Sequence, residues 1–219
     1  MADENLPSRR TQQVAEFLRK IQSTPRARLI FALDATQSRQ PTWDTACRLQ
    51  AEMFQEAGRS GALEIQMVYY RGLSECSHSR WTTNARDLAD MMTRIMCRSG
   101  ETQIGKVLRH VRTEHTQQPV SAVVFVGDAM EENPGTLCDA TTGLPPVFLF
   151  QEGDDPRVAE VFKELARLTK GAYERFDPGA ARKLADLLRA AAAFATGGVA
   201  ALADLRTDSA RKLLRQIKG

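Results

Sequence analysis

An α/β fold with a doubly wound, mostly parallel central sheet and helices on both faces is predicted by three features of this sequence. Short apolar runs alternate with longer segments whose apolar residues recur every three or four positions. Two of those runs, RLIFAL at 28–33 and VSAVVFV at 120–126, are nearly continuous, the pattern of strands covered on both sides. Both lead directly into acidic, polar loops, at Asp34 and at Gly127-Asp128, and in such sheets ligands bind beyond the carboxyl ends of the strands.

Taken in order, Val14, Phe17, Leu18 and Ile21 form a one-face helical stripe that Pro25 ends. The 28–33 strand is followed by DATQSRQPTWD. A helix over about 42–57 then carries Ala46, Leu49, Met53 and Phe54 on one side, with Gly58 as its stop. LEIQMVYY at 63–70 is a second strand, and 72–81 holds a turn and a short polar edge strand. Leu88, Met91, Met92 and Ile95 give a helix over 84–96 with Asn84 as its cap. After the SGET loop, a helix over 103–115 turns Ile104, Val107, Leu108 and Val111 inward. Beyond the 120–126 strand come strands at 146–150 and 172–176, with a helix over 157–168 between them. A helix over 179–193 follows, Thr196-Gly197-Gly198 breaks the chain, and a last amphipathic helix covers 199–217. The expected organisation is a helical extension (1–25), a core domain (26–195), and a carboxyl-terminal amphipathic helix (196–219) that packs on the sheet.

A chain of 219 residues can bury enough apolar surface to fold without a metal, so a metal site here would be functional. Thirty basic and 27 acidic residues leave a formal charge of +3, too small and too dispersed for a nucleic-acid surface. The one basic cluster, Arg211, Lys212, Arg215 and Lys218, reads as a solvated helix face. The apolar runs at 29–33 and 190–195 are too short to span a bilayer, and the acidic amino terminus has no apolar signal core, so cytoplasmic residence is expected. Cys47, Cys76, Cys97 and Cys138 form no CxxC pair, and His78, His110 and His115 lack metal-binding spacing and read as surface residues. Zinc and redox chemistry are disfavoured.

Asp34, Thr36 and Ser38 stand at i, i+2 and i+4, so an extended backbone would project all three oxygens one way. A carboxylate with two hydroxyls is a hard donor set suited to Mg²⁺ or Mn²⁺. Turn chemistry explains the same residues equally well. Asp128 at the end of the 120–126 strand and Thr102 at a helix entrance add two oxygens at the same sheet edge, although Thr102 is also a natural N-cap.

DATQS, Thr102 in GETQIGKVL and Asp128 after VVFV, in that order, resemble the metal-ion-dependent adhesion site of von Willebrand factor type A domains. LARLTKGAYERFDPGAARKLADLL is similar to that family's closing helix, strand and helix, and the resemblance covers roughly residues 26–193. It implies a Rossmann-like fold and a Mg²⁺ (or Mn²⁺) ion. Thr36 and Ser38 would contact the ion directly, Asp34 and Asp128 largely through water, and Thr102 in either way. A partner protein would donate an Asp or Glu carboxylate to the vacant position, making the domain a binding module and not an enzyme. Two departures stand out: Thr36 where the family commonly has Ser, and Ala129 where it usually has Gly. Glu131 and Glu132 follow closely; either could bind the metal or be solvated, and the solvated reading is favoured.

Two other readings compete. LIFALDATQS and VVFVGDAMEE look superficially like the motifs of a haloacid-dehalogenase-like phosphatase, with Asp34 as nucleophile, Asp128 holding Mg²⁺ and Lys106 stabilising charge. A degenerate domain without metal could instead use Arg39, Trp43 and Asp44 as a contact surface. A dinucleotide-binding protein is disfavoured, since no GxGxxG follows a strand.

Overall fold

The computed structural model describes residues 26–40, 43, 63–177 and 180–219. The helices expected within 1–25 and over 42–57 lie outside the described residues. Six strands form one sheet: β1 (Ala27–Asp34), β2 (Leu63–Arg71), β3 (Glu75–His78), β4 (Ala122–Gly127), β5 (Val147–Glu152) and β6 (Ala172–Phe176). Their order is β3-β2-β1-β4-β5-β6, all parallel except β3, which pairs antiparallel with β2. The two apolar runs singled out in the sequence are thus the paired central strands β1 and β4. The order reverses at β1, which places the carboxyl ends of β1 and β4 at a topological switch point.

The helices are α1 (Ala85–Arg94), α2 (Ile104–Gln117), α3 (Pro134–Asp139), α4 (Pro156–Leu168), α5 (Ala181–Asp204) and α6 (Asp208–Lys218). Alternation along β1 divides the core. Leu29, Phe31 and Leu33 face Leu88 and Met92 of α1, Leu187 and Leu188 of α5, and Leu213 of α6. Ile30 and Ala32 face Ile104, Val107 and Val111 of α2 and Val158, Phe162 and Leu165 of α4. Nothing in the apolar periodicity reveals α3, which is too short; the signal that marks it is Asn133-Pro134, whose Asn side chain accepts from Thr136 N and whose Pro opens the helix.

Two expectations about the carboxyl end are corrected. Gly197 and Gly198 leave helical geometry (Gly198 at φ 62), but the helix resumes beyond them to Asp204. Arg206 at φ 53 then turns the chain, and the Thr207 side chain accepts from Ala210 N to start α6. The helix expected over 199–217 is therefore two. Helix α5, with 24 residues, is long and apolar enough to cross a membrane by length and composition, against the expectation that no stretch is. Counting unbroken apolar runs missed it because its alanines and leucines are interrupted by scattered polar residues. Its Leu184, Leu187, Leu188, Ala190 and Ala191 are buried in the same apolar cluster as the sheet. Residues of 196–219 join that cluster through Leu202, Ala210 and Leu213, and Gln216 bonds both the N–H (2.9 Å) and the C=O (2.8 Å) of Tyr173 on β6.

Two of the histidines expected at the surface are structural. His115 Nδ1 accepts from Val120 N at 3.0 Å. His110 on α2 stacks on His78 of β3 at 4.4 Å and meets Gln66 Oε1 at 2.8 Å. Burial, and the charge of His78, hold the His110 imidazole below the ordinary histidine range, against an opposite pull from Glu114. The unfolded chain therefore binds this proton more readily. The contribution is present above about pH 6.5 and is lost as the pH falls toward the folded-state value. Denaturant unfolding is expected to show stability declining below about pH 6.5, with a shallower decline in His110→Gln. Leu213→Ala is expected to cost about 2–5 kcal/mol in the same measurement, as a core truncation does; a cost near zero would mean that α6 is dispensable to the fold.

Candidate metal site

The carboxyl ends of β1, β2 and β4 are brought level by register, with Asp34 opposite Tyr70 and Leu33 opposite Val126. Leaving β1, Ala35 N donates to Tyr70 O at 2.9 Å, and Arg98 N donates to Ala35 O at 3.1 Å. A parallel bridge between Thr36 and Arg98 fixes the loop around residues 96–100 beside the Asp34 loop. The backbone then turns through a single 3-10 turn, Gln37–Arg39, and does not stay extended as the i, i+2, i+4 spacing suggested. The two hydroxyls still meet, with Thr36 Oγ1 and Ser38 Oγ 3.1 Å apart.

Asp34 is wholly buried. Its Oδ1 accepts from Thr36 N (2.8 Å) and its Oδ2 from the Tyr70 hydroxyl (2.8 Å). Burial raises its pKa; the Thr36 and Tyr70 hydrogen bonds oppose that rise, and the nearby Asp128 charge adds to it. Burial and the Asp34 charge push the Tyr70 phenol well above its usual value.

Thr102 does not cap α2. Its N–H donates to Glu131 Oε2 (2.7 Å) and its Oγ1 accepts from Glu131 N (3.0 Å), a reciprocal pair between two loops. The cap comes from Glu132, whose carboxylate accepts from Ile104 N (2.5 Å) and Gly105 N (2.9 Å) at the positive end of the helix. Neither glutamate is merely solvated. Thr102 lines the same cleft as Thr36 and Ser38.

Asp128 follows Gly127, where a Cβ would come within 2.9 Å of the Phe125 ring, so glycine leaves room for that ring against the strand end. One Asp128 oxygen, Oδ1, is buried with no hydrogen-bond partner among the described residues. Ala129 does not need glycine's freedom: among the described residues the non-glycine positive φ values belong to Lys170 and Arg206.

Thr36, Ser38, Thr102 and Asp128 line one cleft of about 290 Å³ with Gln37, Ser99, Gly100, Ala129 and Glu131. Asp34 is not among the lining residues. The donors fit a hard cation. Metal–oxygen bonds of 2.0–2.1 Å at right angles separate neighbouring ligand oxygens by about 2.9 Å, close to the Thr36–Ser38 distance of 3.1 Å. An orphaned carboxylate oxygen beside them is the group a cation would satisfy. Among the described residues, no group of three or more His, Cys, Asp and Glu side chains is arranged to hold a metal. An ion here would rest mainly on neutral hydroxyls and keep positions open for water or an outside oxygen.

The competing readings fare differently. As a nucleophile Asp34 is poorly placed, being buried with both oxygens engaged. Lys106 Nζ is committed to Ser74 O (2.9 Å) and Gln103 Oε1 (2.7 Å), and it does not line the cleft. The contact surface of Arg39 and Trp43 is overturned: they are 1% and 2% exposed, and Asp44 lies outside the described residues. Arg39 forms a buried ion pair with Glu152 at the end of β5. Burial lowers the pKa of its guanidinium, and Asp128 and Asp34 pull it back up. Tyr70 and Glu152 are site residues that the sequence did not single out, and Glu131, Glu132 and Arg39 take roles other than those expected of them. Their partners are 27 to 113 positions away, and no local pattern marks such a pairing.

No protein-family model and no curated protein sequence matches the chain. Solved structures do. The SpRpn10 VWA domain superposes with a TM-score of 0.57 at 8% identity, over 70% of this chain and 89% of that one. The D319A mutant of the PilB minor pilin from Streptococcus sanguinis gives 0.62 at 8% identity, over 76% and 60%. Proximal thread matrix protein 1 from the mussel byssus gives 0.55 at 12% identity, over 76% and 46%. The chain thus spans most of the first but less than two thirds of the other two. At these identities the likeness is one of architecture: this chain has the von Willebrand factor type A fold.

Proposed function

We propose that the chain is a protein-binding module, of adhesion or scaffold type, that engages an Asp or Glu carboxylate of its partner through a Mg²⁺ (or Mn²⁺) ion held at Thr36, Ser38, Thr102 and Asp128, with Asp34 in support. The observation that carries this reading is the meeting of those four lining residues in one cleft, beside a buried Asp128 oxygen with no hydrogen bond among the described residues. When bound, a divalent cation supplies an electrophilic position for an outside carboxylate. Thr36 and Ser38 offer neutral oxygens, and Asp128 and Thr102 complete the wall. Asp34, whose oxygens already accept two hydrogen bonds, supports the site by positioning Thr36. A binding role without catalysis is supported by the lack of an exposed nucleophile where the phosphatase reading needs one. Cytoplasmic residence belongs to the same proposal and is supported by the free thiols of Cys76 and Cys138.

Thermal unfolding with and without Mn²⁺ or Mg²⁺ tests the metal. At tenfold excess over its Kd, an ion that binds only the folded chain stabilises it by about 1.4 kcal/mol, a rise of about 3–6 °C for a chain of this size. EDTA should abolish the rise, and so should Ser38→Ala and Asp128→Ala. No rise at millimolar metal, with no Mn²⁺ signal lost from solution by electron paramagnetic resonance, would sink the metal-dependent reading. Tyr70→Phe strips Asp34 Oδ2 of its donor inside the core and is expected to cost about 1–3 kcal/mol in denaturant unfolding. It should also weaken Mn²⁺ binding measurably, whereas a variant equal to wild type in both would remove Asp34 from its supporting role.

A further inference from the structure

Among the described residues, the two most exposed large apolar side chains are Leu73 at 77% and Met96 at 66%. Neither lines the cleft, but both lie on segments joined to its lining loop. Tyr70 pairs with Asp34 at the end of β2, and three residues later Leu73 projects from the turn that Gly72 makes at φ 61. Met96 begins the loop whose Arg98 bridges to Thr36 and whose Ser99 and Gly100 line the cleft. The two segments are tied together. Arg71 Nη1 donates to Met96 O at 2.8 Å, and the Gly72 and Gly100 backbones pack so closely that a Cβ on Gly100 would lie 2.1 Å from Gly72 O. Single exposed apolar residues are ordinary, but two on joined segments beside a cleft mark a docking surface.

Charge on these segments is mixed, and Arg98 is its least committed guanidinium. Arg71 holds Glu75 at 2.9 Å, while Arg98 reaches the same carboxylate only at 3.7 Å and keeps 58% of its side chain exposed. One carboxylate is shared between two guanidiniums. The exposed acids of the adjoining loops are Glu101, next to Gly100, and Glu131, which lines the cleft. Arg98 thus offers a cation beside the apolar pair and next to the cleft.

We infer that Leu73, Met96 and Arg98 form a specificity rim for a partner segment in which an Asp or Glu adjoins one or more large apolar side chains. The inference rests on reading the cleft as a carboxylate site. The partner's acid enters the cleft past Arg98, and its apolar neighbour covers Leu73 and Met96. Methionine suits such a surface because its unbranched side chain adapts to the group that covers it.

The test is a selection of displayed random 12-residue peptides on the full chain in Mg²⁺. Enriched peptides are then measured by fluorescence anisotropy on wild type, on Leu73→Ser/Met96→Ser and on Arg98→Glu. The expected peptides carry Asp or Glu next to Leu, Ile, Met, Phe or Trp, and bind the double variant about tenfold or more weakly. The double variant should melt at the wild-type temperature, since both side chains are exposed. Enriched peptides without an acid, equal binding to the double variant, or no enrichment over a non-binding control protein would overturn the inference. So would sedimentation showing that wild type self-associates through this rim and the double variant does not. An EDTA arm separates the two proposals. Binding lost in EDTA but unchanged in the double variant removes the rim and leaves the metal site. Binding unchanged in EDTA but lost in the double variant does the reverse.

Discussion

A carboxylate with no access to water must find its hydrogen bonds inside the protein, and Asp34 finds both within its own loop and the neighbouring strand. Thr36 N on one oxygen fixes the first step of the loop after β1, and the Tyr70 hydroxyl on the other ties that step to β2. Thr36 is thereby directed toward Ser38, and the bridge to Arg98 carries the order onward to the 96–100 loop. The cleft is a consequence of where Asp34's hydrogen bonds go. Its edge is built from irregular backbone, yet strand register sets each part of it.

Around that carboxylate lies a dense set of charges. Asp128 repels Asp34, and Arg39, buried with Glu152, attracts both. Removing buried charges from water costs several kcal/mol for each ion, and only close pairing offsets it. The Arg39–Glu152 pair joins the turn after β1 to the end of β5, across the top of β4. It adds a side-chain tie across the same three strands that the backbone ladders join.

What could be read from the sequence is what depends on local periodicity and order. The doubly wound sheet was legible because β1 and β4 are apolar on both faces, and the alternating helices have one apolar stripe each. The five candidate oxygens were legible as the ends of strands and the entrance of a helix. Four of them line one cleft; the fifth, Asp34, lies out of it, because burial and hydrogen bonding are not visible in spacing. The same limit explains the readings that failed. Thr102 is a good N-cap residue in isolation, but Glu132, 30 positions later, already occupies the cap. Arg39 and Trp43 have the composition of a binding hot spot, but such residues are equally suited to anchoring a core, and here they do. The Gly197-Gly198 break was read correctly as a loss of helical geometry, yet the core contacts of Leu202 carry the helix beyond it.

The borrowed cap on α2 has an evolutionary consequence. A helix that carries its own capping residue can keep its start while the surrounding loops diverge. Helix α2 cannot, because its first N–H groups are satisfied from the loop after β4, and the same loop grips Thr102 through Glu131. The two loops are therefore constrained to change together. A descendant that lost Glu132 would keep its fold most easily by placing Asp, Ser or Thr at position 103, and one that lengthened the loop after β4 would have to replace two contacts at once. Where such chains are found, paired changes at 102–103 and 131–132 would be the trace of that constraint.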